Sequence, residues 1–315
     1  MLSILIPAFN AQTYLSSTLD SLLSQNECDF EIIICDDGST DKTATIGSNY
    51  LTRDRRVTYF RQAHSGAAAA RNAAFSASRG KWVVYFDGND ISCPGSLGAM
   101  VRVAQTYPSD IVYCRWSKLH EPANNSSEVA LFKEHMPGWL WLERAFLYDY
   151  PTYTGCFLLP RTMVEKEGGW DERLSFQDDM EFYARLIART DIIRFCDEAR
   201  FIYRQGVPGS VSRSVGTSSS ESHYLATALA VQHLLRVRNT KSARAAAVRQ
   251  LMLVSYTQHL GAPGISRKAE MDAKALAAAP LWRPWLPGGP ARRILQVFLG
   301  WRLALKVHSA LKRLL

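Results

Sequence analysis

The chain has 315 residues, of which 47% are hydrophobic and 21% charged, so it can bury a full core and lacks the composition of a disordered protein. Its net charge of +8 is uneven: residues 222–315 hold 15 Lys/Arg and two acids (+13), which leaves 22 and 27 (−5) for residues 1–221. The six cysteines follow no CxxC or His-paired spacing, which argues against a zinc site or a disulfide framework and favours a reducing cytoplasm.

Apolar runs and helical spacings alternate along the first 86 residues. Strands are predicted at 2–6, ended by Pro7, and at 30–35, 57–60 and 82–86, and helices at 12–23, from 42, and at 66–77. This alternation is typical of an α/β fold with a mainly parallel sheet flanked by helices. The first strand begins so early that no room for a signal peptide is expected, and no apolar run reaches the roughly 18 residues of a membrane span.

The later part of the chain changes from mixed to helical. Strands are predicted at 110–114, 153–160 and 201–204, a helical turn at 161–166, a helix at 178–189, and loops at 122–128 and 206–220. Helices follow at 222–238, 241–260 and 291–315, separated by 261–266 and by the proline-rich 280–290. We therefore predict an α/β domain over 1–220 and a basic C-terminal helical region over 221–315.

The stretch KWVVYFDGND, residues 81–90, predicts a buried strand that ends in a polar site. Ligands of open α/β sheets lie at the carboxyl ends of the strands, where Asp87 and Asp90 are suited to hold a hard cation or a sugar hydroxyl. A solvated turn is the alternative, since Asp, Gly and Asn are common turn residues. The chain has no GxGxxG after its first strand and no GxxxxGK[ST], so the common nucleotide-binding loops are not indicated.

Five stretches taken together resemble the family-2 glycosyltransferases, which have the GT-A fold. They are SILIPAFN at 3–10, EIIICDDGSTDKT at 31–43, SGAAAARNAAFSASRGKWVVYFDGNDISCP at 65–94, GGWDERLSFQDDMEFYAR at 168–185 and YRQGVPGSVSRS at 203–214. Each stretch is a weak signal, whereas all five in this order are a strong one. The resemblance implies an inverting transferase that uses a nucleotide-sugar.

The resemblance assigns the nucleotide to residues near the first strands. It implies that Asp37 accepts a hydrogen bond from a ring N–H of uracil, that Pro7, Ala8 and Asn10 line the base and ribose, and that Arg71 reaches the nucleotide. The alternatives are that Asp36 and Asp37 only cap the next helix and that Arg71 is a solvated helical arginine.

The segment Asp87-Gly88-Asn89 stands where the family carries its Asp-x-Asp metal motif, followed by Asp90. The resemblance implies a Mg²⁺ or Mn²⁺ ion, which would neutralise a diphosphate that acids alone would repel. Asn89 departs from the motif, because an amide is a weaker ligand than a carboxylate. Gln205 also follows Tyr203-Arg204 where many relatives have a histidine. Three alternatives follow: Asn89 coordinates through its carbonyl while Asp87 supplies the charge, Asp90 substitutes for Asn89, or the metal is bound weakly.

Asp178 and Asp179 resemble the family's Glu-Asp motif, which implies that Asp179, with Asp178 as the second candidate, is the catalytic base. A base at this position would take the proton of the acceptor hydroxyl during one inverting displacement. The alternative is an acid pair that only stabilises the start of a helix. Trp170, Trp139 and Trp141 are candidate sugar or acceptor platforms, with core packing as the alternative.

Residues 291–315 carry six Lys/Arg and no acid, beside Trp and Leu side chains. A basic amphipathic helix of this kind can lie on an anionic membrane surface, or it can pack on its own catalytic domain or on a second protomer. Nucleic acid is not an expected partner, because the basic charge is confined to the tail and no known nucleic-acid module is visible.

The sequence therefore predicts a glycosyltransferase that acts on a glycan or lipid-linked acceptor in cell-surface polysaccharide synthesis. Its expected place is the cytoplasm, or the inner face of the plasma membrane as a peripheral protein. The alternative is a sugar-nucleotide-binding or scaffolding protein of the same fold that has lost activity, as Asn89 and the missing histidine suggest.

Overall fold

A computed structural model describes residues 1–120, 125–129, 132–207 and 217–277, which form a mixed sheet covered by helices. The strands are β1 Leu2–Ala8, β2 Phe30–Asp36, β3 Val57–Arg61, β4 Trp82–Tyr85, β5 Ile91–Ser92, β6 Ile111–His120, β7 Asn125–Val129, β8 Met136–Pro137, β9 Phe157–Pro160 and β10 Ile192–Gln205. The helices are α1 Leu15–Leu23, α2 Thr43–Arg53, α3 Ala67–Ala77, α4 Ser96–Thr106, α5 Gly138–Tyr148, α6 Arg161–Glu167, α7 Asp178–Ile187, α8 Thr217–Val237, α9 Lys241–Thr257 and α10 Pro263–Leu276.

The sheet has the strand order β3-β2-β1-β4-β9-β6-β10-β5, with β7 paired to β6 and β8 to β10. Strands β3, β2, β1 and β4 are parallel, whereas β9 is antiparallel to both of its neighbours. Every residue of β2 is buried, as expected for a parallel strand with helices on both faces. The predicted α/β class is confirmed, and the sheet is mixed: β10 and β6 also pair in parallel, while β9 separates them from the parallel strands β3, β2, β1 and β4.

Pro7 does not end β1, which continues to Ala8. The carbonyl of Leu5 accepts from the Phe86 amide on the β4 side, and the carbonyl of Ala8 accepts from the Asp37 amide on the β2 side. Pro7 therefore faces the β4 side, beyond the last paired residue of that ladder, Leu5. A proline is tolerated at this position because no ladder hydrogen bond needs its missing N–H.

Several elements differ from the sequence prediction. Helices α4 and α5 were not predicted, α10 begins inside the predicted loop 261–266, and β7 begins inside the predicted loop 122–128. Pro263 stands at the start of α10, where its missing N–H costs nothing, so it begins the helix and does not break it. The segments 280–290 and 291–315 lie outside the described residues.

The helices α8, α9 and α10 pack on one another, and α8 and α9 also pack on α7 and α5 of the α/β part. The amide of Gln250 donates to the Phe146 carbonyl of α5 at 2.7 Å, and the Ser242 hydroxyl donates to Glu143 at 2.5 Å. Helix α8 begins at Thr217, three residues before the predicted boundary at Ser220, and the boundary itself stays a prediction. Among the described residues, no helix combines the length and apolar character that crossing a bilayer requires.

Candidate active site

The candidate site is a cavity of about 1350 Å³ at the carboxyl ends of β1, β2 and β4. This exceeds the roughly 300–1,000 Å³ of an ordinary ligand pocket, so there is room for two substrates. Ten of the residues predicted from sequence lie on its wall: Pro7, Ala8, Asn10, Asp37, Arg71, Asp87, Asn89, Asp90, Asp178 and Asp179. The topology brings them together because strands that are parallel in the sheet end at the same edge.

Asp37 is buried, and its carboxylate holds the loop that leads into α3. Its oxygens accept from the backbone N–H groups of Ser65 at 2.9 Å and Gly66 at 2.8 Å, and from the Gln62 amide at 2.7 Å. Nδ1 of His64 lies 2.8 Å from the same carboxylate. Asp37 thus already fixes the loop that forms one wall of the cavity, and its contact with a base stays a prediction.

The neighbouring acids Asp36 and Asp41 also hold the segment between β2 and α2. The Asp36 carboxylate accepts from the Ser39 N–H and the Tyr59 hydroxyl, while Asp41 accepts from the Thr43 N–H at the start of α2. The N-cap position of α2 is Lys42, so the side chain that binds the first N–H of this helix is that of Asp41 and not that of Asp37.

Asn10 has a left-handed backbone, with φ of 48°, which asparagine tolerates better than most residues. Its backbone N–H donates to the Ser39 hydroxyl and its side-chain carbonyl accepts from the Thr40 N–H. These bonds join the tip of β1 to the tip of β2.

Phe9 and His64 form a stacked pair that sequence reasoning missed. Their ring centroids are 4.2 Å apart, and Phe9 is 48% exposed on the cavity wall. An aromatic residue placed directly after a central strand is the sequence signal that would have indicated Phe9. The pair offers a flat surface beside Asp37, on which a planar base can stack.

Arg71 lies at the centre of the acidic cluster. Its guanidinium is 2.6 Å from Asp178 and 3.0 Å from Asp87, and it lies 4.2 Å over the ring of Trp170. Burial opposes the charge of Arg71, but the two carboxylates outweigh it and raise the pKa of this side chain. Arg71 is thus a buried cation that joins the end of β4 to the start of α7.

The three tryptophans predicted as sugar or acceptor platforms are not on the cavity wall. Trp170 is buried and stacks on Phe182 at 4.1 Å, and Trp141 is fully buried in an aromatic cluster. Trp139 packs under the guanidinium of Arg238. The platform prediction is therefore wrong for this structure, and the alternative of core and helix packing describes them.

The three candidate metal ligands lie in the turn after β4, and they differ in exposure and in hydrogen-bond partners. Asp87 is part-exposed on the cavity wall, and Asn89 is half-buried beside it. Asp90 is buried, accepts from the backbone N–H of Arg204, and has its pKa raised by burial and by Asp87. One oxygen of the Asp90 carboxyl is thus engaged with the backbone of β10, and its role as a replacement for Asn89 stays a prediction.

No cluster of three His, Cys, Asp or Glu side chains close enough to bind a metal is found in the part of the chain that the structure describes. Asp87 and Asn89 both line the cavity and carry oxygen donors, and their binding of a cation stays a prediction. A pair of this kind suits Mg²⁺, which is commonly held by one or two carboxylates together with substrate phosphates.

Asp178 and Asp179 open α7, directly after Gln177, whose φ of 58° turns the chain sharply into the cavity. Asp178 binds Arg71 and also accepts from the Asp179 N–H, whereas Asp179 accepts from the Met180 N–H. Burial and the neighbouring charge of Asp178 raise the pKa of Asp179 to about 7. A carboxylate with a pKa near neutrality is suited to act as a general base.

The wall beyond the acid pair is aromatic, and sequence reasoning did not find it. Tyr153 and Tyr203 stack with their centroids 4.2 Å apart, and Phe176, His223 and Tyr256 line the same cavity. Burial lowers the pKa of His223 to about 4, so this imidazole is neutral at physiological pH. These residues come from distant parts of the chain, so no local motif marks them.

The model of Glycosyl transferase family 2 matches residues 3–169, more than half of the 315 residues. The glycosyltransferase EpsJ of Bacillus subtilis is 28% identical over 67% of this chain, and the putative glycosyltransferase EpsH of the same organism is 29% identical over 55%. The alignments span 63% of EpsJ and 49% of EpsH, so the chain matches only part of each relative.

Solved structures share the fold at low sequence identity. A crystal structure of S. aureus TarS 1–349 aligns with a TM-score of 0.68 and 17% identity, covering 98% of this chain and 91% of that one. The complex of TarS 1–349 with UDP-GlcNAc aligns with a TM-score of 0.63 and 16% identity, covering 88% and 90%. The predicted GT-A-type architecture with C-terminal helices is thereby confirmed.

Proposed function

Because the chain belongs to Glycosyl transferase family 2, we propose that it is an inverting glycosyltransferase that moves a sugar from a UDP-sugar to a hydroxyl of a glycan or lipid-linked acceptor in cell-surface polysaccharide synthesis. The observation that carries this proposal is the position of Asp179. Its carboxylate lies in the wall of a cavity large enough for two substrates, and its pKa is about 7.

The reaction that this arrangement suits is one displacement at the anomeric carbon. Asp179 takes the proton of the acceptor hydroxyl as its oxygen attacks, and a bond forms between that oxygen and the anomeric carbon. The bond from the anomeric carbon to the diphosphate breaks, and its electron pair leaves with the nucleoside diphosphate. Attack opposite the leaving group inverts the anomeric centre.

The donor is proposed to bind between the tip of β1 and the turn after β4. Pro7, Ala8 and Asn10 line this end of the cavity, and Phe9 offers a stacking surface. Asp37 is the proposed acceptor for a base N–H, which would take the place of one of the bonds that its carboxylate makes to the loop before α3. The complexes of TarS with UDP and UDP-GlcNAc, whose fold is similar, support the choice of a uridine nucleotide.

A divalent cation, Mg²⁺ or Mn²⁺, is proposed to bind at Asp87 and Asn89. Such an ion, when bound, would neutralise the diphosphate leaving group. Asp87 would share its charge between the cation and Arg71, which is 3.0 Å away. Arg71 compensates the charges of Asp87 and Asp178 whether or not the cation is bound.

Calorimetric titration with UDP, GDP and dTDP, each with Mn²⁺ and then with EDTA, tests the donor end. We expect UDP to bind preferentially and Mn²⁺ to strengthen its binding. Asn89→Asp adds a charged ligand and is expected to tighten the metal-dependent binding of UDP on the order of tenfold. If none of the three nucleotides binds, the donor assignment is contradicted. If UDP binds equally well in EDTA and in Mn²⁺, the proposed role of the metal is contradicted.

The pH dependence of donor turnover tests the base. Because the pKa of Asp179 is raised to about 7, kcat/KM is expected to rise with pH through about 7 and then level off. The charged groups that face Asp179 are Asp178, Arg71 and Asp87. Asp178→Asn removes a carboxylate that raises this pKa, so the rising limb should move to lower pH. If the rising limb of kcat/KM stays at the same pH in Asp178→Asn, a group other than Asp179 controls the pH dependence.

The acceptor is proposed to approach along the aromatic wall formed by Tyr153 and Tyr203. Burial and the neighbouring Tyr203 raise the pKa of Tyr153, so the Tyr153 hydroxyl stays protonated at neutral pH and can donate a hydrogen bond to a sugar. The membrane contact of residues 291–315 stays a proposal that rests on their sequence alone.

A further inference from the structure

Helix α8, the first of the C-terminal helical region, holds the loop that leads to the acid pair. The hydroxyl of Ser222 accepts from the backbone N–H groups of Ser175 at 3.0 Å and Phe176 at 2.9 Å, and it donates to the Phe176 carbonyl at 2.8 Å. A hydroxyl has one donor and two acceptor positions, so these bonds use all of its capacity. Ser222 is only 5% exposed, so water is largely excluded from these bonds.

The position of this contact matters because Phe176 is two residues from Asp178. The intervening Gln177 has a left-handed backbone, so the chain reverses direction between the bonded loop and the first residue of α7. Where the loop is fixed, the start of α7 is fixed with it. The direction in which the two carboxylates point therefore depends on a residue outside the α/β part of the chain.

A second set of contacts joins α8 to α7 just beyond the acid pair. Nε2 of His233 lies 3.0 Å from the buried Glu181, which also accepts from Arg185 at 2.8 Å. Arg185 in turn donates to the carbonyls of Gly168 at 2.8 Å and Gly169 at 2.7 Å, directly before Trp170. Helix α8 thus holds α7 on both sides of Asp178 and Asp179.

We propose that α8 is a positioning element of the active site, in which Ser222 is the positioning residue that sets the orientation of Asp178 and Asp179. This inference rests on the proposed function and adds to it that the C-terminal helical region contributes directly to the geometry of the base. Ser222 does not touch the reacting atoms and acts only through the loop that contains Ser175 and Phe176.

The test is Ser222→Ala, with Ser242→Ala as the matched control. Ser242 is a serine of α9 whose hydroxyl bonds to Glu143 on α5, away from the acid pair. Misplacement of a catalytic group by about 1 Å can cost about 100-fold in rate, so Ser222→Ala is expected to lower kcat by roughly 10- to 100-fold. The donor KM and the dissociation constant of UDP should stay within about twofold, because no donor contact is removed. Release of UDP from UDP-GlcNAc, UDP-glucose and UDP-galactose measures turnover.

Two further measurements separate positioning from loss of stability. Hydrogen exchange of the amides of Ser175 and Phe176 should accelerate in Ser222→Ala and not in Ser242→Ala, while Ser222→Thr, which keeps the hydroxyl, should restore slow exchange and part of kcat. Wild-type kcat in Ser222→Ala, or an equal loss in both alanine variants, would overturn the proposal. If the wild-type protein neither binds UDP nor releases it, the proposed function fails, and unchanged exchange at Ser175 and Phe176 would separately overturn the positioning role.

Discussion

Replacement of Asp179 by asparagine is expected to lower kcat by roughly 10²- to 10⁴-fold, the range that a general base contributes. Asparagine keeps the shape of the side chain, and its carbonyl oxygen can still accept from the Met180 N–H, as the carboxylate does. What is lost is the ability to take a proton at a pH near the raised pKa of about 7.

Turnover of UDP-sugars and calorimetric binding of UDP should be measured together for Asp179→Asn. Binding of UDP should change by less than about threefold, because the variant removes an interaction made in the transition state. The exposed Asp191→Asn, just beyond the same helix, is the matched control and should retain full activity. A wild-type rate in Asp179→Asn would move the base to Asp178, and an inactive wild-type protein that binds UDP would favour a binding or scaffolding protein.

Replacement of Arg71 by methionine is expected to destabilise the protein by about 3–5 kcal/mol, the cost of breaking a buried ion pair on one side. The guanidinium is 7% exposed and compensates Asp178 at 2.6 Å and Asp87 at 3.0 Å. Methionine fills much of the space over Trp170 but leaves both carboxylates without their cation.

The free energy of unfolding in urea at neutral pH measures this effect. The matched control is Arg53→Ala, because Arg53 lies 4.0 Å from Asp20 with side chains 72% and 60% exposed. An exposed pair of this kind contributes only about 0–1 kcal/mol. If Arg71→Met lowers the free energy of unfolding no more than Arg53→Ala does, Arg71 does not compensate Asp87 and Asp178. Its role would then lie in binding the nucleotide alone.

The sequence alone determined the strands β1 to β4 and the polar turns that follow them. In β2, an apolar run ends at Asp36, and the Ser, Thr and Asp residues behind it begin α2 at Thr43. Such signals are local, since a buried parallel strand and a helix start each leave their mark within a few residues. The same locality explains why most of the predicted nucleotide, metal and base residues lie on the cavity wall, since they end a strand, follow a strand end or begin a helix. Arg71 is the exception, because it lies inside α3.

Only the tertiary structure decided which side chains face the cavity and which support it. Trp170 and Trp141 are as aromatic as Tyr153, yet both are buried while Tyr153 lines the cavity, because exposure depends on what packs against each ring. The role of Ser222 was equally hidden, since its partners are 46 and 47 residues away and an isolated serine on a helix carries no signal of them. Long-range packing also places the guanidinium of Arg71 between Asp87 and Asp178, which are far apart in sequence and are both bound to it.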